Sequence, residues 1–236
     1  MEGVSSLARE KKHIPGVISD LRRDIIEVPE VITKCSGINI NGRKLKSFIF
    51  TTDIAIICNT DADAVLAVYS FTPHPGIIQA ITSVASMPVI AGVGGGLTHG
   101  VRSANIAMFA ESLGSIAVVV NAPTPIETIR MIDEMVDVPV IATIASDLTD
   151  IKERVNAGAD ILNVSGGAKT VEMVRNIRKE FPTIPIIATG GKTDADILET
   201  IEAGANAISW TPPSVADIFK KKMDKYRQEV KEDYEA

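Results

Sequence analysis

Met87-Pro88-Val89-Ile90-Ala91-Gly92 returns as Val138-Pro139-Val140-Ile141-Ala142-Thr143 and again as Ile184-Pro185-Ile186-Ile187-Ala188-Thr189. Each copy reads as a short, buried strand that begins just after a proline. A second echo sets Asn156-Ala157-Gly158-Ala159-Asp160-Ile161 beside Glu202-Ala203-Gly204-Ala205-Asn206-Ala207, with Glu111-Ser112-Leu113-Gly114-Ser115-Ile116 as a looser copy. Here a helix ends at glycine and the next strand starts. Successive copies lie about 45 to 51 residues apart, which is room for two strand-helix units per copy. Four such double units make eight strands.

Working outward, strands are expected near Phe48–Phe50, Ala64–Val68, Val89–Ala91, Ile116–Val120, Val140–Thr143, Asp160–Val164, Ile186–Ala188 and Ala207–Trp210. Helix-length amphipathic stretches separate most of them, such as Thr170–Glu180 with Val171, Val174, Ile177 and Phe181 on one side. Short, uniformly apolar strands alternating with helices favour a closed (β/α)8 TIM barrel over an open doubly wound sheet. An open sheet usually carries a glycine fingerprint after its first strand, and none is found here. The first unit is the irregular one, because Asp53–Asn59 has room for only one helical turn. Residues 1–45 are expected to form an N-terminal helical extension and then a hairpin, in which Ile38–Ile40 and Arg43–Leu45 flank Asn41-Gly42. The barrel is assigned to residues 46–236.

The bulk properties agree with this picture. The chain has 236 residues, close to the size of one α/β barrel, and is 45% hydrophobic but only 4% aromatic, so its core is built from Ile, Val, Ala and Leu. A net charge of −6 weighs against nucleic acid as a partner, and no apolar run reaches the roughly 18 residues of a membrane span. Cys35 and Cys58 show neither a CxxC nor a Cys/His ligand spacing. No metal or cofactor is expected, and the location is expected to be cytoplasmic. A homo-oligomer is left open.

Barrel chemistry belongs to the residues just after each strand. Gly190-Gly191 after strand seven, with Thr189, and Thr211 and Ser214 before the last helix, suit a phosphate. Glycine backbone approaches an anion closely, and a helix N-terminus adds donors and a favourable dipole. The plainer alternative for the glycine pair is a tight turn. Gly166-Gly167 and Asn121 occupy equivalent positions after strands six and four. Asp53, directly after the first strand, is the leading general base, with helix capping as the competing role. Lys192 and Lys169 could contact phosphate or stabilise an enolate, or could be solvated loop lysines. His74 and His99 lack ligand spacing and read as surface or capping residues. Gly92-Val93-Gly94-Gly95-Gly96-Leu97 lacks the third glycine of a dinucleotide fingerprint, and Ser165–Thr170 has Ala168 where a P-loop needs glycine. The charged stretch Lys220–Ala236 reads as a solvated extension of the last helix.

The run Thr189-Gly190-Gly191-Lys192-Thr193-Asp194-Ala195-Asp196-Ile197, followed by Glu202-Ala203-Gly204-Ala205-Asn206-Ala207-Ile208, resembles the closing segment of the ribulose-phosphate-binding barrel superfamily. Its members include indole-glycerol-phosphate synthase, N-acetylmannosamine-6-phosphate epimerase, thiazole synthase and the glycerol-3-phosphate-responsive antiterminator. The resemblance implies that Gly190, Gly191, Thr211 and Ser214 hold the phosphate of a small metabolite. It also implies an isomerase, epimerase or lyase, with a non-catalytic sensor like the antiterminator as the rival and a hydrolase on the same barrel as a third reading. One departure stands out: these families often continue after the last strand with Gly-Ser or Gly-Thr, whereas Ser209-Trp210-Thr211-Pro212-Pro213 offers fewer backbone donors. Asn163-Val164-Ser165-Gly166-Gly167 is also similar to 2-keto-3-deoxy-6-phosphogluconate aldolase, but strand six lacks that family's Schiff-base lysine.

Overall fold

The echoed prolines set the start of their strands because each lacks an N–H but keeps a carbonyl. In the computed structural model, which describes residues 15–20 and 24–235, the Pro88, Pro139 and Pro185 carbonyls accept from Val65, Val118 and Leu162 of the neighbouring strands at 2.9, 3.0 and 3.0 Å. The described residues form ten strands: β1 (Ile38–Ile40), β2 (Arg43–Leu45), β3 (Ser47–Phe50), β4 (Ala64–Ala67), β5 (Val89–Gly94), β6 (Ala117–Val120), β7 (Val140–Ile144), β8 (Ile161–Val164), β9 (Ile186–Thr189) and β10 (Ala207–Trp210). The last eight close on themselves in parallel, β10 pairing with both β9 and β3, so the fold is a (β/α)8 barrel. All eight expected strands are present, each within a few residues of its expected ends.

The helices are α1 (Ile54–Ile57), α2 (Pro75–Val84), α3 (Val101–Ser112), α4 (Ile126–Asp133), α5 (Ile151–Asn156), α6 (Thr170–Glu180), α7 (Asp194–Glu202) and α8 (Val215–Glu235). As the short spacing requires, α1 is a single turn. Gly158 and Gly204 end α5 and α7 with φ of 107° and 115°, a backbone state that costs glycine little.

Alternate residues of the strands fill one inward core and two outward clusters. Phe48, Leu66, Ile90, Val119, Ile141, Ile161 and Ile187 point inward and pack together. Their strand neighbours, such as Ala91, Val118, Ala142, Leu162, Val164 and Ala188, pack outward against the helices.

The end of the barrel where strands begin is closed. The β1–β2 hairpin turns at Asn41 and Gly42, with φ of 49° and 81°, as a two-residue hairpin turn with positive φ at both positions requires. Its Ile38, Ile40 and Leu45 join the inward core. Side chains also hold the backbone N–H groups at the strand starts. Asp63 accepts from Lys46 and Ser47 at 2.7 and 3.0 Å, Asp160 from Val140 at 2.9 Å, and Asn206 from Ile186 at 2.9 Å. The Gly-Ala-Asp and Gly-Ala-Asn echo therefore has a structural cause: its last residue ties one strand to the start of the preceding one.

The expected N-terminal helical extension falls partly on residues 1–14 and 21–23, which lie outside the described residues. Between them and the hairpin the described chain forms only a 3-10 turn at Glu30–Lys34, preceded by a segment where Ile26 bridges to Thr60. The ring of Pro29 immediately before that turn holds φ at −52°, and a ψ of 126° makes the entry extended. Ile32 and Cys35 of this region are buried in the outer core, and burial pushes the Cys35 thiol up to about 11.

Candidate functional site

The inward alternation that fills the barrel with Ile and Val changes character near the strand ends. Thr143, Asn163, Ser165, Thr189 and Ser209 continue the inward-facing rows of Ile141, Ile161, Ile187 and Ala207. All five are neutral. Asn163 Nδ2 donates to Thr143 Oγ1 at 3.2 Å, and Thr189 Oγ1 donates to Ser165 Oγ at 3.1 Å. Among the described residues no Asp, Glu, Lys or His takes an inward position at a strand end. Every titratable candidate stands on a loop.

Two cavities open over this layer. The first, about 530 Å³, is lined by Tyr69, Thr98, Asn121, Thr143 and Ser165, with Phe71 and Leu97 81% and 98% exposed on its rim. Its partners are uncharged. The second, about 870 Å³, lies over β8, β9 and β10 and is lined by Gly167, Thr189, Gly191, Lys192, Ser209 and Thr211, with Asp196 and Glu199 beside them. Among the described residues, here alone the mouth combines glycine backbone, hydroxyls and a cation.

Of the residues singled out in the sequence, the second cavity gathers Gly167, Thr189, Gly191, Lys192 and Thr211, and the first takes Asn121. Gly190 is buried behind the surface, and Gly166 is partly exposed but lines neither cavity. A Cβ on Gly190 would lie 2.7 Å from Ile208 Cγ2, so that position is glycine for packing, whereas one on Gly166 would press chiefly on the flexible end of the Met173 side chain.

Ser214 lies apart from both cavities. Its hydroxyl donates to Asp217 Oδ2 at 2.6 Å and accepts from Asp217 N at 3.1 Å at the start of α8. Hydrogen bonds from Ser214, side chain first and then backbone, hold the Asp217 carboxyl below the usual carboxylate range. The start of α7 is built alike. Thr193 and Asp196 form a capping box in which Lys192 N and Thr193 N donate to Asp196 Oδ2 at 3.2 and 3.0 Å. Thr193, again through its side chain first, and then the two backbone groups depress the Asp196 carboxyl. The start of α8, expected to offer donors to an anion, thus already holds a carboxylate of its own, and so does the start of α7.

Asp53 caps α1, its Oδ1 accepting from Ala55 N at 2.9 Å and Ile56 N at 3.4 Å. Both bonds use one oxygen, so Oδ2 is not committed to the cap. Asp53 lines neither cavity. Lys169 Nζ meets Asp147 Oδ2 at 2.9 Å on the exposed rim. That hydrogen bond lowers the Asp147 carboxyl and raises the Lys169 ammonium, though an exposed pair adds little to stability. His74 caps α2, its Nδ1 accepting from Gly76 N at 3.0 Å.

Asn163 and Ser209 are the residues that motif reading passes over. Their signal is parity: a polar residue two positions after an inward Ile or Ala in an otherwise apolar buried strand.

Comparison with known proteins places the fold. No family model and no curated protein matches the chain. Solved structures do. Phosphonopyruvate hydrolase in complex with oxalate and Mg++ superposes with a TM-score of 0.58 at 16% identity, over 84% of this chain and 97% of that one. For 2,3-dimethylmalate lyase, a PEP mutase/isocitrate lyase superfamily member, the TM-score is 0.58 at 18% identity, over 80% and 83%. Phosphoenolpyruvate phosphomutase from Streptomyces platensis subsp. rosaceus gives 0.58 at 13% identity, over 83% of each chain. At these identities the likeness defines the chain as a (β/α)8 barrel and carries no activity with it. Among the described residues no group of three or more His, Cys, Asp or Glu is placed to hold a metal ion. No described helix is long and apolar enough to cross a membrane.

Proposed function

We propose that this barrel is an enzyme acting on a small phosphorylated metabolite, of the isomerase, epimerase or lyase type, with the phosphate held over β8, β9 and β10. The observation that carries the reading is the second cavity, where Gly167, Gly191, Thr211 and Lys192 converge on one space at the catalytic end of a barrel. The resemblance of Thr189–Ile197 to the ribulose-phosphate-binding superfamily supports the same place. Because Asp196 and Asp217 occupy the helix starts, the phosphate relies on the glycine loops, the Thr211 hydroxyl and the Lys192 ammonium. Asp53, through Oδ2, is the proposed base, and Lys192 or Lys169 the group that offsets negative charge in the transition state.

The test has two arms. Inorganic phosphate and small phosphate esters should raise the unfolding temperature of the wild type, and Lys192→Ala should reduce that shift. No shift with any of them overturns the phosphate. Once turnover of an ester is found, Asp53→Asn keeps the cap, since Asn caps as well as Asp, and should abolish turnover while leaving affinity intact. An active Asp53→Asn protein removes the base.

The neutral inward layer favours one second reading, a sensor that binds the same ligand without transforming it. Saturable binding with no consumption of any bound ester would select it.

A further inference from the structure

The first cavity plays no part in holding the phosphate, and its lining has a chemistry of its own. In a chain with six Phe, three Tyr and one Trp, Tyr69 and Phe71 both line it from the loop after β4. Tyr69 is fixed there, because its hydroxyl accepts from His74 N at 2.7 Å. Leu97 joins them from the loop after β5, where mutual backbone hydrogen bonds between Gly95 and Thr98, at 2.8 and 3.1 Å, leave Gly96-Leu97 as the tip of a tight turn. Phe71 and Leu97 are 81% and 98% exposed, so two loops each leave a large apolar side chain in solvent at the rim of one space. Single apolar residues on a surface are ordinary, whereas two on the rim of a concave space that also offers polar groups mark a binding surface.

Asn121 supplies the one amide side chain among the lining residues. It is held on two sides. Its backbone N–H donates to Gly94 O at 3.0 Å, and Gly95, at a φ of 133°, lies so close that a Cβ there would stand 2.4 Å from Asn121 Cβ. Thr98, Thr143 and Ser165 add hydroxyls, and no Asp, Glu, Lys, Arg or His is among the lining residues. A charged group entering this space would shed water without meeting an opposite charge. A flat uncharged ring would instead cover the apolar rim and turn a polar edge to the amide, and a cavity of about 530 Å³ has room for one. The two cavities adjoin, since Ser165 lines the first, Thr189 lines the second, and their hydroxyls are 3.1 Å apart.

We propose that the first cavity binds an uncharged aromatic or heteroaromatic ring, held against Tyr69, Phe71 and Leu97, with an amide-like edge hydrogen-bonded to Asn121. Resting on the phosphate reading for the second cavity, the substrate is then a phosphate ester that carries such a ring at its other end. The experiment measures dissociation constants by NMR titration for benzamide, benzoate, butyramide, inorganic phosphate, and a phosphate ester bearing the benzamide ring on a two-carbon linker. The wild type should bind benzamide at least about tenfold tighter than benzoate or butyramide. Phe71→Ala should weaken benzamide about fivefold and Asn121→Ala about tenfold, both keeping their affinity for inorganic phosphate. Saturating inorganic phosphate should leave benzamide binding unchanged, and the linked ester should bind more tightly than either part alone.

Benzamide binding that is no tighter than that of benzoate or butyramide, that inorganic phosphate displaces, or that Phe71→Ala leaves unchanged overturns the ring site. The phosphate reading then stands if inorganic phosphate binds. A linked ester no tighter than inorganic phosphate overturns the ring as part of the same substrate. Because the wild-type comparisons need no variant and Phe71 is an exposed side chain, a misfolded Asn121→Ala protein does not rescue the idea. If inorganic phosphate fails while benzamide keeps its preference, the phosphate reading falls and the ring site stands. If neither binds, both fall.

Discussion

Asn206 and Asn163 sit at opposite ends of the barrel and put the same side chain to different use. At the closed end, Asn206 Oδ1 accepts from Ile186 N and Arg178 Nη2 at 2.9 Å each, and Nδ2 donates to Ser36 Oγ at 2.9 Å. Its hydrogen bonds join three segments. At the mouth, Asn163 donates once to Thr143 and leaves its carbonyl unpartnered. The closed end is built for stability, and the mouth is tied with fewer bonds, a division expected of this architecture.

The largest effect that can break this comparison lies in the inward core. Phe48 is fully buried, so Phe48→Ala should cost about 3 to 5 kcal/mol in denaturant unfolding. A loss below about 1 kcal/mol would mean that the inward rows are loosely packed. Asn206→Ala comes next and should cost about 1 to 3 kcal/mol, since it strands partly buried donors. Thr193→Ala removes a helix cap at the mouth and should cost about 1 kcal/mol. Ser165→Ala breaks only the exposed bar to Thr189 and should stay within about 0.5 kcal/mol of the wild type. If Ser165→Ala destabilised as much as Asn206→Ala, the two ends would not differ as described.

The smallest effects concern pH, and their signs oppose. Asp217 at the mouth has a depressed carboxyl, so its contribution is present above the ordinary carboxylate value of about 3.9 and is lost as pH falls through the lower folded value. Asp133 near the closed end is raised, by burial first and then by Asp160 and Glu134, so its ionisation opposes folding once pH rises past the ordinary value. In melts from pH 3 to pH 7, Asp217→Asn should fall below the wild type only at the upper end. Asp133→Asn should rise above the wild type there. Parallel curves for the two variants would refute the contrast.

Much of this was legible in the sequence, and the reasons are physical. The Pro-Val-Ile-Ala repeats gave the strands because a proline start and an unbroken apolar run leave few alternatives for so short a segment. Asn41-Gly42 gave the hairpin because few residue pairs accept positive φ twice. Gly167, Gly191, Lys192 and Thr211 were readable as neighbours because barrel geometry brings strand ends together. Other parts needed three dimensions. Gly190 looks like Gly191 in the sequence, yet it is pressed against Ile208 and Ile197 while Gly191 faces the cavity. Asp196 and Asp217 look like ordinary first-turn acids until their oxygens are seen to accept from Lys192 N and Thr193 N and from Ser214. The unpaired Asn163 carbonyl is hidden because the missing partner of an atom is a property of space, not of spacing.

The hairpin has a consequence for traffic. With Ile38, Ile40 and Leu45 packed onto the inward core at one end, the barrel interior is filled up to the polar layer, and both cavities open at the mouth. Phe71 and Leu97 border the first cavity, so arrival and departure there share that rim. A rim substitution such as Leu97→Ala would therefore change the on-rate and off-rate of a ligand in the first cavity together, whereas a change in the hairpin would reach a ligand only through the stability of the whole barrel.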